Sequence, residues 1–101
     1  MPLRSLRWGF ILAVAACLPA LAQQAGDPAA GQRLAEATCM VCHDSTGSKL
    51  APAFSAVAAM PSTTATALGV FLRTSHPSMP NLMLTPAERD DVVAYILSLR
   101  K

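Results

Sequence analysis

The sequence predicts an all-α fold of three to four helices joined by loops, and three observations carry that prediction. Fourteen alanines lie between Ala25 and Ala94, a composition that favours helix. Two helix starts are written out in full: Asp27-Pro28, an acidic N-cap with proline at the first helical position, and Thr85-Pro86-Ala87-Glu88, a capping box. No segment carries a convincing strand pattern.

Of the 101 residues, the first 22 read as a cleaved export signal. Arg4 and Arg7 form the basic start, Trp8 to Leu18 the apolar run, Pro19 a breaker, and Ala20-Leu21-Ala22 a small-x-small cleavage site. The apolar run is too short to span a bilayer as a helix. Val14-Ala15-Ala16-Cys17 offers the alternative of a lipoprotein acylated at Cys17, the one route by which this chain would be membrane-anchored. Residues 23–101 are then a single small domain in the periplasm. Loss of Arg4 and Arg7 takes the eight basic residues to six, equal to the six acidic ones, so the apparent net charge of +2 belongs to the signal. Nothing in that balance argues for nucleic acid or an anionic membrane as partner.

The first helix runs from Pro28 through Ala37 into a pair of cysteines. His43 to Ala51, with Gly47 and several polar residues, reads as loop, and Pro52 to Met60 holds a short helix stopped before Pro61. Ser62 to Thr74 suits a second substantial helix capped by Ser62, with Ala65, Leu68, Phe71 and Leu72 on one face. His76 to Leu84, broken by Pro77 and Pro80, is an extended loop. The last helix runs from the capping box to about Leu99, buries Val92, Val93, Ile96 and Leu99, and closes with Arg100 and Lys101 at the negative end of its dipole.

Cys39-Met40-Val41-Cys42-His43 is the segment that carries chemistry: two cysteines three apart with histidine directly after form the attachment signature of c-type haem. Thiols one helical turn apart can each add to a vinyl group on one porphyrin edge, and the following imidazole can turn onto the iron. A thioredoxin-type motif belongs beside a βαβ pattern that the chain lacks. A structural zinc site wants four ligands, and beyond the motif residues 23–101 offer no further cysteine and only His76. A Cys39 to Cys42 disulfide leaves His43 unexplained. Haem also answers the thin core, since a covalently held apolar body supplies what the alanines cannot.

The second iron ligand separates an electron carrier from a gas binder or peroxidase. The candidates are Met40, Met60, Met79, Met83 and His76. Met40 lies inside the motif, and Met60 follows His43 too closely. Met79, between Ser78 and Pro80 in a loop joining two helices, can present a thioether without a helix approaching the iron; His76 and Met83 are the alternatives.

With these pieces the chain resembles the small monohaem class I cytochromes c of bacteria, over roughly Pro28 to Leu99. The likeness rests on Ala30-Gly31-Gln32, the Cys39 to His43 motif, Leu50-Ala51-Pro52-Ala53-Phe54, Met79-Pro80 and Asp91-Val92-Val93-Ala94-Tyr95-Ile96. The resemblance implies the cytochrome c fold, its helices and loops wrapped around one haem c, with Cys39 and Cys42 as thioether links and His43 and Met79 as axial iron ligands. It implies that the first and last helices cross near-perpendicularly, that Gly31 allows the close approach and that Tyr95 packs against it. It also implies that the Pro52 carbonyl accepts the Nδ1 proton of His43. The implied role is one-electron transport between protein donors and acceptors by a monomer that is not an enzyme. The docking contact is expected to be largely apolar, with Lys49 near its rim. Two alternatives stay open: a dedicated haem subunit of one oxidoreductase, and a gas-binding or peroxidase-type protein with an open distal site.

Overall fold

The computed structural model describes residues 26–47 and 50–101. The export segment with Cys17, and Lys49, lie outside the described residues. Among the described residues the fold is all-α: α1 (Pro28–Thr38), α2 (Phe54–Ala59), α3 (Ala65–Phe71) and α4 (Pro86–Ser98), with an isolated bridge between His76 and Met79 as the only β-type pairing. None of these helices is long and apolar enough to cross a membrane.

The first and last helices start where local chemistry says they must. The Asp27 carboxylate accepts from the Ala29 N–H at 2.9 Å, and Pro28 follows where a missing N–H costs nothing. At α4, Thr85 Oγ1 accepts from Glu88 N–H at 3.2 Å and the Glu88 carboxylate accepts from Thr85 N–H at 2.8 Å, closing the capping box. Thr85→Ala is therefore expected to lower stability by about 1 kcal/mol, read as a fall in the thermal midpoint.

Packing converges on α4, against which α1, α2 and α3 all lie. The start of α1 is pinned there, because the Asp27 N–H donates to Asp91 Oδ1 at 2.7 Å. Farther along, the two helices approach so closely at Gly31 that a Cβ would sit 1.9 Å from the Asp91 carbonyl oxygen and 2.9 Å from Tyr95 Cβ. Ala35, Phe54, Ala58, Leu68, Val92, Val93 and Ile96 make the core, in which Val92 is the largest fully buried side chain. For a core this is sparse, as the alanine content foretold.

Three details depart from the sequence reading. α3 is capped by Thr64, whose Oγ1 accepts from Ala67 N–H, and not by Ser62. Thr63 is buried and donates from Oγ1 to the Val57 carbonyl at 2.7 Å, which anchors the chain there and delays the helix by two residues. Phe71, expected on the buried face of that helix, is 46% exposed and lies instead against His76. At the far end, α4 stops at Ser98 with Leu99 only partly buried and no basic residue in its last turn. The Arg100 guanidinium, beyond the last turn, donates to the carbonyls of Ala58, at 2.9 Å, and Thr63, tying the chain after α4 to the end of α2 and the segment that follows it.

Candidate haem site

The cysteine motif continues α1 by one turn. Cys39 N–H donates to the Ala35 carbonyl at 2.7 Å, and His43 N–H to the Cys39 carbonyl at 2.9 Å, a helical i to i−4 bond. Cys39 and Cys42 therefore stand one turn apart on one side, and both line the same cavity. Without haem attached, burial pushes the Cys39 thiol above its ordinary range. After the motif, Asp44 accepts from the Thr46 N–H at 3.0 Å and Oγ1 at 2.7 Å, and Gly47 takes a φ of 69°, which turns the chain back.

His43 is held on two sides. Its Nδ1 lies 2.7 Å from the Pro52 carbonyl oxygen, and its ring stacks on Phe54 with centroids 4.7 Å apart. A carbonyl only accepts, so Nδ1 carries the hydrogen, and in the neutral ring the lone pair is left on Nε2. That is the tautomer and fixed orientation a metal-binding imidazole needs. Phe54 in turn meets Tyr95 edge-on, centroids 6.3 Å apart at 80°, which couples the ring under His43 to the α1–α4 crossing.

Met79 comes from the other end of the chain. His76-Pro77-Ser78-Met79 makes a tight turn in which the Met79 N–H donates to the His76 carbonyl at 3.3 Å, with proline second and Ser78 third at a φ of 72°. A non-glycine residue held there costs roughly 1–2 kcal/mol. Ser78→Gly is expected to remove that strain and to leave stability unchanged or higher by up to about 1 kcal/mol, since the glycine's freedom in the unfolded chain offsets part of the gain. A clear drop in the thermal midpoint would contradict it.

These pieces face one cavity of about 410 Å³, within the roughly 300–1,000 Å³ typical of sites for organic ligands. Cys39, Cys42, His43 and Met79 line it together with Phe54, Leu68, Leu72, Leu82, Val92 and Ile96. An apolar chamber of this size in a chain with so small a core leaves much hydrocarbon wet unless a large apolar body fills it. The donor set matches haem: two sulfurs one turn apart, an imidazole with Nε2 presented, and a thioether on the same cavity. Of the other candidates, Met83 is 95% exposed and Met40 packs against the core. Met60 reaches the cavity but is 47% exposed. His76 also lines it, with its Nε2 held 2.9 Å from the Phe71 carbonyl. Sequence reasoning passed over the Phe54 ring beneath His43, the buried Thr63, and Leu82 as a wall; the Pro52-Ala53-Phe54 run was the one local signal for the first.

Comparison with known proteins agrees with the geometry. The family described as cytochrome c oxidase, cbb3-type, subunit III matches residues 26–96. Cytochrome c-552 of Bradyrhizobium diazoefficiens is 34% identical over 97 residues, covering 91% of this chain and 93% of that protein. No solved structure matches the chain. With the family matched over residues 26–96 and cytochrome c-552 similar along nearly the whole length, the chain belongs to the c-type cytochromes, electron-transfer proteins and not enzymes, and carries covalently bound haem c.

Proposed function

We propose that residues 23–101, released into the periplasm after removal of residues 1–22, act as a monomeric one-electron carrier between a dehydrogenase or respiratory complex and an acceptor. In this reading Cys39 and Cys42 are the thioether links, and His43 and Met79 the axial ligands. The observation that carries it is the His43 ring, whose Nδ1 bond to Pro52 leaves Nε2 for iron, on the cavity that Met79 also lines. Haem c supplies exchange of a single electron at its iron. The chain's residues set how that exchange runs. The Pro52 carbonyl fixes the His43 ring and its tautomer. The Met79 thioether favours the ferrous state, and the apolar walls from α3 and α4 act in the same direction by disfavouring the extra positive charge of the oxidised centre. With His43 and Met79 both holding the iron, no position would be left for a substrate.

Redox protein partners dock in this reading beside the motif, where Val41, between the two cysteines, is 82% exposed. An apolar contact with few charges predicts an electron-transfer rate that changes only modestly between low and moderate salt; collapse of the rate over that range would contradict it. A second reading, a dedicated haem subunit of one oxidoreductase, draws on the description of the matched family. Stable co-purification with a larger complex favours it, and a freely diffusing monomer favours the carrier.

The deciding experiment is the visible spectrum of the purified protein, oxidised and reduced, with added CO. A low-spin, CO-inert protein with a thioether-to-iron charge-transfer band is the expected result. A high-spin or CO-binding protein would replace this reading with an open-site gas binder or peroxidase.

A further inference from the structure

The backbone of the turn that presents Met79 pairs His76 with Met79 as an isolated antiparallel bridge, but the Met79 N–H to His76 carbonyl hydrogen bond is long at 3.3 Å and Ser78 sits at a φ of 72° that favours glycine. The side chain that opens the turn is, by contrast, firmly held. The His76 ring lies flat on Phe71, centroids 3.5 Å apart and planes within 9°. Its Nε2 is 2.9 Å from both the Phe71 carbonyl oxygen and Thr74 Oγ1. The carbonyl only accepts, so Nε2 donates to it, sharing the hydrogen with Thr74 Oγ1, whose own hydroxyl is 3.1 Å from the Val70 carbonyl. Val70 and Phe71 are the last two residues of α3; their carbonyls also accept from the backbone N–H groups of Arg73, at 3.1 Å, and Thr74, at 3.3 Å, so the His76 ring joins an end that is already closed. His76 is thus tied to the end of α3, and α3 is seated in the core by Leu68.

We infer that His76 is a positioning residue for Met79: its stack on Phe71 and its hydrogen bond to the end of α3 anchor the turn and so hold the thioether against displacement from the iron. The inference rests on the reading of Met79 as axial ligand. Without the anchor, the turn relaxes away from the strained Ser78 geometry and carries Met79 with it. A competing small ligand then meets a distal position that is open for a larger fraction of the time.

The test titrates imidazole into the oxidised, haem-loaded protein, following loss of the thioether-to-iron band, with far-UV circular dichroism as a separate gauge of folding. His76→Ala is expected to bind imidazole about tenfold more tightly than the unsubstituted protein, at unchanged helix content. His76→Gln, whose amide can again donate to the Phe71 carbonyl, should bring the affinity back to within roughly threefold of the starting value. Phe71→Leu, at a half-exposed position on the cavity wall, removes the stacked ring while keeping an apolar side chain there, and should shift the affinity the same way as His76→Ala if that variant does not accumulate. Imidazole affinities unchanged in the alanine and leucine variants would overturn the inference, as would a glutamine variant as loose as the alanine one. Absence of the band from the unsubstituted protein would instead overturn the assignment of Met79, and this inference with it.

Discussion

Met79→Ala is expected to abolish the thioether-to-iron band of the oxidised protein and to make the reduced protein bind CO. It should also lower the reduction potential by roughly 0.1 V, well inside the ~0.8 V that axial ligand identity spans. The direction follows from what is removed: alanine has no lone pair to give, and the thioether's preference for the ferrous state goes with it. Two of the alternative ligands are not placed to substitute. Met83 is 95% exposed, and the His76 Nε2 is occupied with the end of α3. If the band survives, Met79 is not the ligand, and Met60, which lines the same cavity, is the sulfur to replace next. Loss of the band with the His43 side unchanged would locate the effect at the distal position alone.

Gly31→Ala is expected to cost about 3 kcal/mol, the upper end for forcing extra volume into a packed site. In a chain of this size that is roughly 12–24 °C in Tm. The added methyl would lie 1.9 Å from the Asp91 carbonyl oxygen and 2.4 Å from its carbon, so backbone, not a flexible side chain, must yield. The helices can separate only by stretching the Asp27 to Asp91 hydrogen bond and disturbing Tyr95, whose ring meets the Phe54 ring beneath His43. A change in the haem spectrum is therefore expected to accompany the fall in Tm. A variant within 5 °C of the parent in Tm would show that α1 and α4 can slide apart at little cost.

The starts of α1 and α4 were legible because capping is chemistry among residues within a turn of each other: Asp27 with Ala29, Thr85 with Glu88. The start of α3 was not. Ser62, Thr63 and Thr64 offer three hydroxyls in a row, any of which can cap, and the choice fell to Thr64 because Thr63 is buried against the Val57 carbonyl. Arg100 shows the same limit. Its sequence position fits a helix end, yet it reaches carbonyls 42 and 37 residues away. Phe71 looked like a core residue by helical spacing and is instead the platform for His76, a pairing that exists only because the chain turns back after α3.

The sequence by itself determined the all-α character, the cysteine motif from which the haem reading starts and the caps that open α1 and α4, since each depends on residues a few positions apart. Only the tertiary structure decided that the Pro52 carbonyl faces His43, that Met79 shares the cysteines' cavity, and that Gly31 cannot carry a side chain. Those outcomes depend on where α4 collects the other helices, and such long-range packing is set by the shapes of all the elements together and by no local pattern.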